Sequence, residues 1–126
     1  MGFVNDESHH PVLLTTWSGE TTLPDVDAYN VWMDAHIEKA RLGRYKIALI
    51  SDAVAVTRTP PEVRRAFSVK DVSHDLVAGT WVVSASAIMR GVMAAMRWVN
   101  PAMANVRMVA TLDEALLQAK AALAEK

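Results

Sequence analysis

Short apolar runs alternate with longer segments of helical periodicity along almost the whole chain. The short runs are rich in β-branched or aromatic residues and end at turn residues, as strands do. The longer segments repeat apolar residues every three or four positions, as amphipathic helices do. The pattern predicts strands at 11–20, 45–51, 79–86 and 105–110, and helices at 24–43, 60–71, 87–99 and 112–123. Strands that alternate with helices form right-handed βαβ units, so we expect an α/β fold with a mainly parallel sheet.

Helix start signals locate two of these boundaries. Thr59 and Glu62 have the spacing of a capping box, with Pro60 at the first helical position. Ser86 is placed to cap the helix that follows it. The stretch 53–59 is therefore predicted as the connection between the second main strand and its helix.

Composition narrows the classes of function. The net charge is −1, from 13 basic and 14 acidic side chains, so the chain lacks the basic excess that nucleic-acid binding requires. It has no cysteine, which excludes disulfides, thiolate metal sites and cysteine nucleophiles. The adjacent His9 and His10 have no further ligands at metal-site spacing. We predict no metal and no cofactor.

Length and hydropathy indicate one domain outside the membrane. The 126 residues suit a single domain over 1–126. Residues 1–10 are polar and turn-rich, so we expect either an edge strand at 2–5 or no regular structure there. No apolar run reaches the roughly 18–20 residues that span a bilayer, and no secretory signal pattern opens the sequence. We therefore expect a cytoplasmic protein with no membrane span.

One candidate binding site follows from the direction of the strands. Ligands of open α/β sheets collect outside the carboxyl ends of the strands, where helix N-termini present unpaired N–H groups. At that edge we predict side chains suited to a phosphate, a carboxylate or a phosphorylated side chain: Asp52, Thr57, Thr59, Ser84, Ser86 and Arg90. Alternatively, Thr59 and Ser86 only cap their helices, and Asp52 accepts N–H bonds from its own loop.

A second candidate site is the helix at 87–99. A helix that packs on a sheet needs an apolar stripe of about 100°, whereas apolar residues cover well over half of this one. Large exposed apolar areas are rare on monomers and mark interfaces. We predict a contact surface at Met89, Met93, Arg97 and Trp98. The alternative is that neighbouring helices or the N-terminal segment cover the surplus.

Four motifs, taken together over about residues 12–124, carry a family resemblance. They read WSGETTLPDVDAY, YKIALISD, VVSASAIMRGVMAAMRW and VRMVATLDEALLQAKAAL. As a set they resemble the SpoIIAA-like (STAS-like) bacterial proteins, related in fold to anti-sigma-factor antagonists and more distantly to CRAL-TRIO lipid carriers. The resemblance implies a four- to five-stranded mixed sheet, about four helices packed mainly against one face, and a regulatory or binding role.

The resemblance has one departure. Anti-sigma-factor antagonists have a D-S-[ST]-G-L motif whose serine is phosphorylated at a helix start. The corresponding loop here reads VTRTPPEV, with Thr59 near that place and two prolines instead of the glycine turn. The resemblance therefore does not carry that phosphorylation over to this chain.

Two hypotheses of function follow. The first is a non-enzymatic regulatory module of the STAS-like type that binds a protein partner and forms a homodimer. The alternative is a small-molecule or lipid-binding domain with an apolar pocket between the 87–99 helix and the sheet. A His74/Asp75 dyad lacks a nucleophile at matching positions, so we predict no catalytic residues and no enzymatic activity.

Overall fold

The computed structural model describes residues 2–69, 75–84, 86–99 and 106–124. Strands and helices alternate there along the chain. They are β1 (Phe3–Asp6), β2 (Val12–Glu20), α1 (Leu23–Gly43), β3 (Ile47–Arg58), α2 (Pro61–Val69), β4 (Val77–Val83), α3 (Ala87–Val99), β5 (Val106–Val109) and α4 (Leu112–Ala124).

One mixed sheet joins the strands in the order β1-β2-β3-β4-β5. β1 is antiparallel to β2, whereas β2, β3, β4 and β5 run parallel to their neighbours. Parallel neighbours need a crossover connection, and α1, α2 and α3 provide it. The predicted α/β fold, with a mainly parallel mixed sheet and four helices, is confirmed.

The sheet separates two layers of core. On one face, alternate strand residues such as Leu14, Ile50 and Trp81 pack against Ala115 and Ala119 of α4. On the other face, the intervening residues pack against α1 and Phe3 of β1: Leu13, Trp17, Ile47 and Leu49. α2 contacts both α1 and α3, so these three helices form one layer, and α4 covers the opposite face.

β3 differs most from its prediction. The stretch 53–59 was expected to be a connection, but the strand continues to Arg58. The extension pairs with the end of β2, where Ala55 stands opposite Ser18 and Val56 opposite Gly19, after a register shift. The prediction is wrong because the backbone of this stretch pairs with β2. At the end of the paired strands, Oε1 of Glu20 lies 3.7 Å from Nη1 of Arg58.

α2 also starts later than predicted. It begins at Pro61, and the carbonyl of Pro60 accepts a hydrogen bond from Val63 N at 3.0 Å. Pro60 therefore holds the N-cap position and Pro61 the first helical position, which suits its fixed φ and missing N–H. Thr59 stands one residue further from the helix than the predicted capping box requires.

Candidate functional site

Asp52 of β3 and the carboxyl ends of β4 and β5, at Val83 and Val109, lie side by side at one end of the sheet, as the strand directions predict. Asp52 is paired with Val83, and Ser84 N donates to the carbonyl of Val109 at 3.0 Å. Asp52 is half-buried, and its Oδ1 accepts from Val54 N at 3.1 Å. One carboxylate oxygen of Asp52 is thus held by its own strand, as in the alternative interpretation of this residue.

Ser84 and Ser86 form the turn into α3. Ser84 is buried, and its Oγ accepts from Ser86 N at 3.1 Å. Ser86 is exposed, and its carbonyl accepts from Arg90 N at 3.1 Å, which is the first helical bond of α3. The structure therefore brings Asp52, Ser84, Ser86 and the exposed Arg90 to one end of the fold. Anion binding by this group stays a prediction.

Thr57 and Thr59 lie apart from that group. Thr57 is an exposed residue of the β3 extension, and Thr59 is half-buried just before α2. At about 3.3 Å per strand residue, Thr57 is roughly 16 Å along the ribbon from Asp52. The six residues predicted as one site are therefore divided, because the segment that was expected to fold back as a loop extends outward as a strand.

α3 has a buried side and an exposed apolar side. Met93 is 6% exposed and belongs to the interior, so within this chain it is not part of a surface. Ile88 and Trp98 are 81% and 88% exposed. Ile88, Gly91, Ala95 and Trp98 follow one another at three, four and three residues, so they form one line along the helix, which we call the α3 stripe. Met89 and Arg97 lie on α3, and their side chains are outside the described residues.

The exposed apolar side of α3 therefore coincides only in part with the predicted contact surface. Of the residues predicted for it, Trp98 lies on the exposed side, and Met93 on the buried side. Apolar residues occupy most of the circumference of α3, so the sequence pattern alone did not indicate which side faces the interior. Small residues fill the middle of the exposed side, where Gly91, Ala94 and Ala95 are all exposed.

Comparisons with known proteins place the fold. No family model and no curated protein matches this chain. Among the solved structures that match it are two that cover nearly all of it. An anti-sigma factor antagonist from Mycobacterium paratuberculosis is 20% identical, with a TM-score of 0.61 over 94% of this chain and 92% of that one. A protein of the DUF3478 family with a SpoIIAA-like fold, from Shewanella loihica PV-4, is 13% identical, with a TM-score of 0.59 over 93% and 91%. The chain has a STAS/SpoIIAA-like fold.

At the other end of this SpoIIAA-like fold, the structure contains a cluster that the sequence analysis missed. His36 of α1 is buried, and its Nε2 lies 3.1 Å from Oε1 of Glu7, in the turn between β1 and β2. The ring of Trp32 packs edge-on against the imidazole at 4.8 Å between centroids. Nδ1 of His36 is buried and has no hydrogen-bond partner among the described residues. Glu7 and His36 are 29 positions apart, a separation that no local pattern connects.

Burial sets the charge state of that histidine. It lowers the pKa of His36 below its ordinary value, and the carboxylate of Glu7 opposes the shift. In the neutral tautomer, Nε2–H donates to Glu7 and Nδ1 carries no proton. A second proton on Nδ1 would be a buried donor without an acceptor. Such a neutral, buried histidine ties the β1–β2 turn to α1 and is a structural group.

Two other observations concern the described residues taken together. Among the described residues, no three metal-ligating side chains lie close enough together to hold a metal ion. None of the described helices is both long and apolar enough to cross a membrane.

Proposed function

We propose that this chain is a regulatory protein-interaction module, without enzymatic activity of its own, that acts in the cytoplasm and docks a protein partner on the exposed side of α3. The single observation that carries the proposal is the α3 stripe, with Ile88 and Trp98 exposed at its two ends. The SpoIIAA-like fold supports it, because one structure that shares the fold is described as an anti-sigma factor antagonist.

The energetic argument rests on Trp98. Covering a tryptophan side chain removes on the order of 200 Å² of mostly apolar surface, which contributes about 5 kcal/mol before the costs of association. Tryptophan is also among the residue types that dominate measured binding energies at interfaces. An exposed Trp98 is therefore the natural anchor of a contact.

The middle of the stripe determines what shape fits. Gly91, Ala94 and Ala95 leave a shallow saddle between the two large side chains. Small contact residues let two helix axes approach to the lower end of the usual 8–10 Å range. We therefore expect the partner to present a helix, with a large apolar side chain at the level of the saddle.

The positive charge of α3 indicates further what kind of partner surface would bind there. α3 contains Arg90 and Arg97 and no acidic residue. Ser86 and Arg90 stand at the start of the helix, so an acidic side chain of the partner would meet a hydroxyl and a guanidinium group there. Of the predicted anion site, the proposal uses only this contact. Thr57 and Thr59 are not part of it.

Site-specific photocrosslinking in the native host tests the proposal. A photoreactive phenylalanine analogue replaces Ile88 on α3, or Leu117 on α4 as a matched exposed control. We expect a defined protein adduct from position 88, lost when Trp98→Ala is added, and no such adduct from position 117. Equal adducts from both positions would contradict docking on α3.

Native mass spectrometry of the purified protein separates this proposal from the small-molecule alternative. We expect masses that correspond to polypeptide alone. A stoichiometric apolar compound that survives purification, and is lost on a substitution in the interior such as Met93→Glu but not on Trp98→Ala, would favour the ligand-binding alternative instead.

A further inference from the structure

The outer side of β1 is an open edge of the sheet. β1 is the first strand in the order of the described strands, and its outer side has no neighbour among them. Ser18 N of β2 donates to the carbonyl of Gly2 at 2.8 Å, so the backbone groups at position 2 face β2. Because this direction alternates along a strand, the backbone groups of Val4 also face β2, whereas those of Phe3 and Asn5 point away from the sheet. The outward N–H and C=O groups are therefore in place to pair with one more strand.

β1 also lacks the residues that block such pairing at the edges of natural sheets, of which lysine and proline are the commonest. It reads FVND, and it pairs with β2 over its whole length without a register shift. Phe3 packs on the α1 side of the sheet, so its neighbour Val4 points to the α4 side. Val4 is 69% exposed there. The edge thus combines outward backbone groups with an exposed apolar side chain.

A second copy of β1 matches this edge. In an antiparallel pair of strands, two residues that face each other exchange both of their N–H···O bonds. A two-fold axis at Val4, perpendicular to the sheet, places Phe3 of each copy opposite Asn5 of the other, so every outward group of both strands is bonded. Val4 then faces Val4 of the copy at a non-hydrogen-bonded position, where opposite side chains lie close together.

Strand length and charge favour this register over its neighbours. An axis at Phe3 places Asn5 opposite position 1, and an axis at Asn5 places Phe3 opposite Glu7, so each leaves an outward residue facing a position outside β1. An axis at Asn5 also brings the two copies of Asp6 within two positions of each other. With the axis at Val4 the two Asp6 carboxylates are four positions apart along the seam, about 13 Å at 3.3 Å per residue.

Trp32 of α1 stands beside the same edge. The rings of Tyr29 and Phe3 are 6.4 Å apart, and His36 contacts Glu7 in the turn that follows β1, so α1 and β1 run alongside each other. Trp32 lies between these two contacts, packs on both Tyr29 and His36, and is half-buried. A strand added to β1 shields this side of the ring from water, which adds apolar burial to the backbone bonds.

We propose that two copies of this chain associate through β1, antiparallel and about a two-fold axis at Val4, so that their two five-stranded sheets become one continuous sheet. The assembly closes, because each copy uses the same edge once. A seam of four residues per chain is at the low end of interface sizes, so the dimer dissociates on dilution.

The proposed dimer goes beyond the docking function of α3, because it assigns a different surface. α1 lies next to β1, and α2 lies between α1 and α3, so the α3 stripe stays free in both copies. The dimer then presents two docking surfaces. A partner with two binding sites would be held more tightly than a partner with one.

Charge substitution at position 4 tests the axis directly, because this position faces itself. Sedimentation equilibrium should give a dimer Kd at least about tenfold weaker for Val4→Lys and for Val4→Glu, since each places like charges opposite one another. An equimolar mixture of the two variants should re-form a one-to-one heterodimer, in which lysine faces glutamate. Val54→Lys, a change of a valine that is 65% exposed on β3, is the matched control and should leave the Kd unchanged.

Recovery in the mixture is the result that only a self-facing position gives. No recovery, or an equal loss of association in Val54→Lys, would overturn the proposal. Val4 is exposed, so urea denaturation should show nearly unchanged stability for both variants at a concentration where the chain is monomeric. That measurement separates a loss of association from a loss of folding.

Disulfide trapping gives a second test, since the chain has no cysteine of its own. Facing Cα atoms at a non-hydrogen-bonded position are about 4.5 Å apart, within the range of about 4.4–6.8 Å that a disulfide needs. Under mild oxidation we expect Val4→Cys to form a covalent dimer much faster than Val54→Cys, the exposed control. Equal rates for the two variants would overturn the register.

Failure of this dimer and failure of the proposed function are distinguishable. A chain that sediments as a monomer at all concentrations, but still forms a Trp98-dependent adduct from position 88, overturns the dimer alone. The same holds if a photoreactive residue at position 4 captures a strand of another protein and never a second copy. A chain that dimerises through position 4 but forms no adduct from position 88 overturns the proposed function alone.

Discussion

The two faces of the sheet are covered in different ways. On one face a single helix, α4, lies close to the strands through Ala115 and Ala119, which are fully buried. On the other face α1, α2 and α3 form a layer whose outer side exposes Val31, Leu42, Ile88 and Trp98. α4, over Leu112–Ala124, exposes one large apolar side chain, Leu117. Both faces of the sheet contribute to the core, but the layer of α1, α2 and α3 also has apolar surface that folding of one chain leaves uncovered.

Two tryptophans give the largest test of this difference. Trp81→Ala removes a fully buried ring from the α4 side and should lower the free energy of unfolding by about 3–5 kcal/mol. Trp98→Ala removes an exposed ring and should change it by no more than about 0.5 kcal/mol at a concentration where the chain is monomeric. Urea denaturation of both variants measures the contrast. Comparable losses would mean that Trp98 is covered within one chain.

Two alanines give a smaller contrast of the same kind. Ala119→Leu inserts a larger side chain between α4 and the sheet, and we expect it to cost about 1–3 kcal/mol of stability through overpacking. Ala95→Leu adds the same atoms to the exposed saddle of α3, so it should leave urea unfolding nearly unchanged while it lowers the yield of the protein adduct from position 88. Urea denaturation of both variants, and photocrosslinking of the Ala95→Leu variant, check these expectations.

The parts of the fold that depend on local patterns were predictable. The alternation of strand and helix segments predicts the α/β class, which the structure confirms. The extension of β3 was not predictable, because it is a strand only by pairing with the end of β2. The extension of β3 lacks the alternation of apolar and polar residues that indicates a half-buried strand, and its Val54 is exposed.

The candidate site was predictable in position but not in detail. The direction of the strands correctly brings Asp52, Ser84 and Ser86 to one edge. The orientation of α3 was beyond the sequence, because positions 93 and 98 lie on either side of the polar stripe at positions 90 and 97, and the pattern does not show which of the two sides faces the interior. The contact of His36 with Glu7 was also beyond it, because the two residues meet only through the packing of the β1–β2 turn against α1.

A hydrogen bond under α4 allows a finer test of the face that α4 covers. Trp81 Nε1 donates to Gln118 Oε1 at 2.9 Å. Gln118→Ala leaves the indole N–H of a buried ring without that acceptor, and we expect a loss of about 1 kcal/mol, at the low end because Gln118 is half-buried and water can approach. Lys120→Ala, an exposed change two residues further along α4, is the control and should have almost no effect. An equal effect of the two substitutions in urea denaturation would show that the hydrogen bond contributes nothing.

The smallest expected effect is a pH dependence on the side of the helical layer. Burial holds the pKa of His36 below its ordinary value of 6.5, against the opposing carboxylate of Glu7, with Lys39 and His10 also acting to lower it. The unfolded chain therefore binds more protons at this position than the folded chain as the pH falls below 6.5, so folding free energy is lost in that direction. His36→Gln should flatten this part of the stability curve between about pH 6.5 and 5, and Glu7→Gln should steepen it, because the group that favours the charged imidazole is removed. His9→Gln, in the exposed turn before β2, is the matched control and should leave the slope unchanged. A slope that stays the same in His36→Gln would mean that the proton uptake belongs to other groups.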